Sequence, residues 1–507
     1  MVGRVRQAAL GQRRASGTLL IVMISSLAGS AWAADWPQLQ FDARHSGYIP
    51  ETYGPPYKVL WWVDGASTPA APPVSVRVQP VIAYGTVFVP SDDGSLYTYR
   101  TTNGRRGWRY ATGAAIVNSA AVSTQTTTVY LGSTNGKLYA LDAVSGGLKW
   151  SYQTGGRIRV APVVADCKVF IAATDGVVHA FADSDTLQSQ WTRSVETPVL
   201  ETPAYDRATL YVGTLASKAF ALNASDGSVR WQRQLKGQGF RDRWITAGNG
   251  KVFFNPVPYN GGTLTQADGT ELLTPIYATP WSGQRQAILD HFAARPFYQA
   301  SYVLDAGSGA ETTPPILYTS GGSTSEHPQP VVLPNGKFDV LYRYTEGVGN
   351  PGCGATCICW SIFLGEYDPE TNDIVNRDTW GSTTAERDLK KKTFHHTDES
   401  TALMRSGRIV YLGASRGIYG FDTASRAVIP FVTFDPSAGD IFDAERSPIA
   451  FYSKAKAVRL PNGWIAPYPG AEVNSDGNDF VRPVPVADGV FYFLHNSVLM
   501  AVSGTKR

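Results

Sequence analysis

Only seven histidines occur in the 507 residues, and two of them are adjacent in Phe394-His395-His396-Thr397-Asp398-Glu399. This is the densest group of proton-transfer or metal-ligating side chains in the chain. Neighbouring residues of an extended strand point to opposite faces, so His395 and His396 would share a metal ion only if the backbone turned between them. The segment therefore reads as a loop with at most one working histidine, and no metal site is expected. A second group is cationic. Arg77, Arg159, Arg243 and Arg482 have the guanidinium forks that hold carboxylate or phosphate in two-point contacts. Asp242 or Glu399 would be the nearby base and Trp244 the flat stacking surface. The competing reading, which we prefer, has these polar groups lining a channel, hydrated and paired with Asp242, Glu201 and Glu399.

Cys353, Cys357 and Cys359 lie within seven residues, and Cys167 stands apart. One local disulfide is expected, with the third thiol free or joined to Cys167, and the sequence leaves the pairing open. No Cys-x-x-Cys-His, Gly-x-Ser-x-Gly, His-Glu-x-x-His, phosphate loop or dinucleotide fingerprint occurs.

The elements that must position these side chains follow from a repeat. Trp108, Trp150, Trp191 and Trp231 are spaced 42, 41 and 40 residues apart. Each closes a stretch like Gly136 to Trp150, in which Leu138-Tyr139-Ala140-Leu141 is apolar on both alternating faces and Asp142 to Gly147 is a turn. A strand that is apolar on both faces must be covered on both, so single units cannot stand alone and must stack. A second strand pair precedes each hairpin, which makes four antiparallel strands in about 40 residues, the length of a propeller blade. The inner-strand signature recurs near Pro80, Ala120, Pro162, Pro203, Ile245, Pro330, Ala402 and Pro483. The expectation is an all-β, eight-bladed propeller, with seven blades and a large insertion as the alternative. Added material is expected near 255–325, 345–395 and 427–478. Val59 to Trp62 should pair with the C-terminal strands within Val484 to Val502 and close the ring. In this frame Arg77, Arg159, Asp242, His327 and Glu399 fall three residues before an inner strand, and Trp244 and Arg482 fall one residue before.

Residues 1–33 read as a cleaved secretory leader: Arg4, Arg6, Arg13 and Arg14, an apolar stretch from Leu19 to Leu27, then Ala31-Trp32-Ala33. The apolar run is too short to span a bilayer, so a soluble protein, periplasmic or secreted and without a transmembrane segment, is expected. Without the leader the chain has 41 basic and 42 acidic side chains, a balance that gives no field for nucleic acid. Residues 34–507 should form a single propeller domain.

The pattern ending at Trp150, together with Asp35-Trp36-Pro37-Gln38-Leu39-Gln40-Phe41-Asp42-Ala43-Arg44-His45-Ser46-Gly47, resembles the pyrroloquinoline-quinone-binding-like β-propeller repeat family. The similarity covers about 35–231 and continues at 402–426 and 481–502. The resemblance implies that Trp108, Trp150, Trp191 and Trp231 dock one blade on the next. It also implies one of two functions, since the family holds quinone-dependent dehydrogenases and cofactor-free members such as the outer-membrane assembly scaffold of Gram-negative bacteria. The dehydrogenases close a disulfide of adjacent cysteines over the quinone, above an aromatic floor and beside a calcium site with an aspartate base. This chain has no Cys-Cys pair. The expectation is thus an exported binding or scaffolding propeller without bound cofactor, monomeric or part of a complex. Its partner would be a protein segment or an extracellular ligand meeting the blade loops. The alternative is a periplasmic oxidoreductase holding the quinone with calcium through Arg159, Arg243 and Arg482. In that reading Asp242 or Glu399 is the base and Trp244 stacks. A third reading is a carbohydrate-active or lyase propeller using His327, His395 or His396.

Overall fold

Two-sided apolar strands dictate the architecture. In the computed structural model, residues 35–63, 78–237, 239–255, 301–312, 329–344, 361–378, 400–414, 417–435, 440–443, 484–495 and 498–507 are described, with a few short pieces besides. They form an all-β propeller of eight antiparallel blades. Blade 1 runs from Val81–Ala83 to Arg106–Ala111, and blade 2 from Ala121–Ser123 to Leu148–Gln153. Blade 3 spans Val163–Ala165 to Ser189–Ser194, and blade 4 Ala204–Asp206 to Val229–Gln234. Blade 5 comprises Thr246–Gly248, Lys251–Phe254 and Tyr302–Asp305, with Glu311 bridged to Leu304 in the fourth position. Blade 6 spans Val331–Val332 to Asp373–Asp378, and blade 7 Ser400–Ser406 to Ala427–Asp435. Within blades 2, 3 and 4 the third strand is buried at its four central positions, as a strand sandwiched between neighbours must be.

Blade 8 combines Val486–Ala487, Val490–His495 and Val498–Lys506 with the N-terminal strand Tyr53–Val63. Val59 faces Val502, Trp61 faces Ala501 and Trp62 faces Met500, which is the closure read from sequence. The inserted stretches are narrower than the sequence suggested. Tyr302–Asp305 is the third strand of blade 5, Ser361–Asp368 and Asp373–Asp378 complete blade 6, and Ala427–Asp435 completes blade 7.

Between blades the contact is an indole laid on a turn. Trp150 Nε1 donates to the Ser184 carbonyl at 2.9 Å, Trp191 to Ala224 at 3.0 Å and Trp231 to Ala306 at 3.0 Å, in each case in the third-to-fourth strand turn of the following blade. Trp61 makes the same contact across the ring closure, donating to Thr101 of blade 1 at 2.7 Å. Beneath Trp191 lies Gly227, in the left-handed region at φ 70°, where a Cβ would stand 2.5 Å from the ring. Glycine is required there by both the backbone and the indole. Arg193 adds a bond from Nε to the Gly227 carbonyl at 2.6 Å, so strand and turn are held at two points.

Candidate functional site

The innermost strand of each blade has one paired edge, and its other edge turns unpaired N–H groups toward the propeller axis. Residues 36–49 satisfy these donors in chain order. Ile82 N–H donates to the Trp36 carbonyl at 2.8 Å, Val122 to Pro37 at 2.8 Å, Tyr205 to Ala43 at 2.7 Å and Ala247 to Arg44 at 3.0 Å. Val332 donates to Ser46 at 2.9 Å and Arg405 to Gly47 at 2.8 Å. In blade 3 the acceptor is a side chain: Val164 N–H donates to Gln38 Oε1 at 2.8 Å, and Gln38 Nε2 returns a bond to the Val164 carbonyl at 3.0 Å. In blades 1 to 5 the donor is the middle residue of a three-residue inner strand, so the register is identical. The segment then lies parallel to blade 7, Tyr48 beside Arg405 and Ile49 beside Ser406.

A knot shapes this strap. Asp42 accepts from the Arg44 and Ser46 backbone amides, both at 3.0 Å, and from Ser46 Oγ at 2.9 Å. His45 is buried and its Nδ1 lies 2.6 Å from the Ile245 carbonyl, which can only accept, so Nδ1 carries the proton. Burial pushes the His45 pKa down to about 4, and the ring is neutral at physiological pH.

Two residues before the inner strands, polar side chains gather around the strap. Gln79 Oε1 accepts from Trp36 Nε1 at 3.2 Å and from the Gln40 amide at 2.6 Å, which fixes the orientation of its carboxamide. Thr202 Oγ1 bonds Asn118 at 3.3 Å and the Ala161 amide at 3.1 Å, and Gln329 Oε1 accepts from Thr246 Oγ1 at 3.4 Å. Trp244, 8% exposed, packs against Leu39 of the strap and Ala161, so its indole is covered there.

Glu201 and Asn255 form a second group, at the junction of blades 4 and 5. Glu201 is fully buried and accepts from the Asn255 amide through Oε1 at 3.4 Å, while its Oε2 and both polar atoms of the Asn255 side chain lack partners among the described residues. Burial pushes the Glu201 carboxyl well above the usual range, against the opposing Asn255 hydrogen bond and the charge of Arg243. Gly213 makes room for it, since a Cβ there would be 2.3 Å from Glu201 Oε2.

Of the residues singled out from sequence, Arg159 is half-buried and its carbonyl accepts from Asn118 Nδ2 at 3.1 Å. Arg243 is half-buried beside Glu201, in the strand Arg241–Trp244 that runs parallel to Leu200–Thr202. Asp242 belongs to the same strand, and its side chain lies outside the description. Arg77, Arg482, His327, His395, His396 and Glu399 fall outside the described residues, as do Cys353, Cys357 and Cys359. Cys167 is exposed. Among the described residues no three His, Cys, Asp or Glu side chains are grouped as metal ligands, and no helix is long and apolar enough to cross a membrane. The sequence reading named Glu201 only as a pairing partner and did not single out Asn255. It also took residues 35–47 as a family hallmark without a structural role.

Residues 113–257, which hold blades 2 to 4 and the first strands of blade 5, match the protein-family model described as outer membrane protein assembly factor BamB. Over these residues the match agrees with the pyrroloquinoline-quinone-like propeller repeats that the pattern ending at Trp150 resembles. No curated protein matches the chain. Among solved structures, BamB from Moraxella catarrhalis is 13% identical over 86% of this chain and 98% of that one, with a TM-score of 0.45. The quinohemoprotein alcohol dehydrogenase from Comamonas testosteroni is 14% identical over 77% of this chain and 72% of that one, with a TM-score of 0.46. A europium-containing methanol dehydrogenase is 13% identical, covers 78% and 84%, and has a TM-score of 0.48. At these identities and scores, the three likenesses decide nothing between binding and catalysis.

Proposed function

We propose that this chain is an exported propeller, delivered by its leader to the periplasm or beyond, which binds a protein partner on the rim of blades 2 to 4. One observation carries this reading. Of the six large hydrophobic side chains exposed among the described residues, Val144, Leu148, Leu187, Leu215 and Val229 lie in these three blades, and only Leu60 lies elsewhere. Val144, Leu148, Leu187 and Val229 all sit at the hairpin joining the third and fourth strands. Isolated exposed aliphatics need no explanation, but their recurrence at one place in consecutive blades marks a contact surface. The segment matching the assembly-factor model includes all five, which supports the same reading.

The test is a photo-crosslinking amino acid placed singly at Leu148, Leu187, Val229 and Leu60 in cells of the native host. The first three positions should give one common adduct and Leu60 none. The reading is lost if no adduct forms, or if Leu60 gives the same one.

A second reading, oxidation with pyrroloquinoline quinone and calcium, is favoured by the Glu201–Asn255 pair. Their unpartnered oxygens are the hard donors that suit a divalent cation, and Arg243 would face an anionic group. The fit stops at the indole, because Trp244 is 8% exposed and packed with Leu39 and Ala161, which leaves little of it for a flat ring to stack on. The residues fit a cation and not the quinone. This reading expects calcium to raise the melting temperature of the wild type but not of Glu201→Gln, and to support a quinone absorbance change. A wild type whose melting temperature and spectrum ignore both additions excludes it.

A further inference from the structure

We infer that residues 36–49 couple the blades into a single cooperative unit. A ring of repeats held only by neighbour contacts has stability that is roughly a sum of local terms, and its members open locally. The tryptophan contacts described above are of that nearest-neighbour type. The strap is different, because one continuous segment accepts hydrogen bonds from the inner strands of seven blades and then enters the eighth as Tyr53–Val63.

Its attachments are too close together to act separately. Trp36, Pro37 and Gln38 are consecutive and serve blades 1, 2 and 3; Ala43 and Arg44 are consecutive and serve blades 4 and 5; Ser46 and Gly47 serve blades 6 and 7. The linking residues have no slack. Gln40, Phe41, His45 and Gly47 are held at φ 53°, 82°, 57° and 62°, and the Asp42 carboxylate ties residues 42 to 46 into one piece. An opening blade must pull its acceptor away, and the displacement reaches the acceptor of the next blade within one or two residues, or within five between Gln38 and Ala43. Each buried N–H stripped of its acceptor then bears the desolvation cost of an unmade bond.

The test is native-state amide hydrogen exchange on the full chain, comparing the wild type with Gln38→Ala. This substitution removes contacts to blade 3 alone. Coupling predicts that Ile82, Val122, Tyr205, Ala247 and Val332 exchange faster by the same factor as Phe170 in blade 3, about tenfold for one lost buried pair. Acceleration confined to blade 3 and its two neighbours overturns the inference. Should Gln38→Ala fail to fold, Gln38→Met keeps the length of the side chain and gives up both bonds to Val164 without leaving a cavity. The same uniform pattern is then expected, and a local one again overturns the inference.

Discussion

Trp191→Ala should lower the unfolding free energy by about 3–5 kcal/mol, the range for deleting a buried aromatic. The indole is 9% exposed, lies 5.9 Å from the Phe170 ring and donates to the Ala224 carbonyl across the blade interface. Its removal leaves a cavity between blades 3 and 4 and a carbonyl without its donor. The two losses separate in Trp191→Phe, which keeps a ring over Gly227 and gives up the bond, at a cost nearer 1 kcal/mol plus incomplete packing. Gln232→Ala, at an exposed position of the next outer strand, should stay within about 0.5 kcal/mol. Urea unfolding of the three variants measures all of this. A Trp191→Ala midpoint equal to that of Gln232→Ala would remove the indole from any role between blades.

Arg405→Met should be as damaging at neutral pH and much less so in acid. Arg405 Nη1 lies 2.9 and 3.0 Å from the two carboxylate oxygens of Asp339, and Glu366 stands 3.8 Å away. Asp339 is 1% exposed. Burial lifts its pKa from 3.8 to about 6, with the Arg405 charge pulling it down and Glu366 pushing it up. A carboxyl whose pKa is raised on folding stabilises fully below its unfolded value and loses that contribution as pH rises through the folded one. The wild type should therefore lose roughly 3 kcal/mol of this contribution between about pH 4 and pH 7. Without Arg405 the carboxylate is buried and unpaired, so the variant should be worse by about 3–5 kcal/mol at pH 7. Below pH 4 Asp339 is protonated and needs no cation, so the difference should shrink to about 1 kcal/mol, the loss of the Arg405 Nε bond to the Gly407 carbonyl. Urea midpoints across pH 3.5 to 7.5 check this, and a difference independent of pH would exclude Asp339 as its source.

The ring was readable from sequence because its period is written in tryptophans, and it faded where they stop. Asp305-Ala306-Gly307-Ser308-Gly309 is the same turn as Asp142 to Gly147, and Trp231 docks on it. No tryptophan follows it at the usual interval, so in the sequence its strand reads as inserted material. The Glu201–Asn255 pair was unreadable for another reason. Its members are 54 residues apart, and their contact depends on Gly213 leaving space, which no local pattern records. The strap has no period at all, because its left-handed residues follow the curvature of the axis and not a strand or helix repeat.

The last blade has a consequence for biosynthesis. Three of its strands come from residues 486–506 and the fourth from residues 53–63. The circle can therefore shut only after residues 486–506 have been synthesised. Until then the earlier blades remain an open arc with a bare sheet at either end.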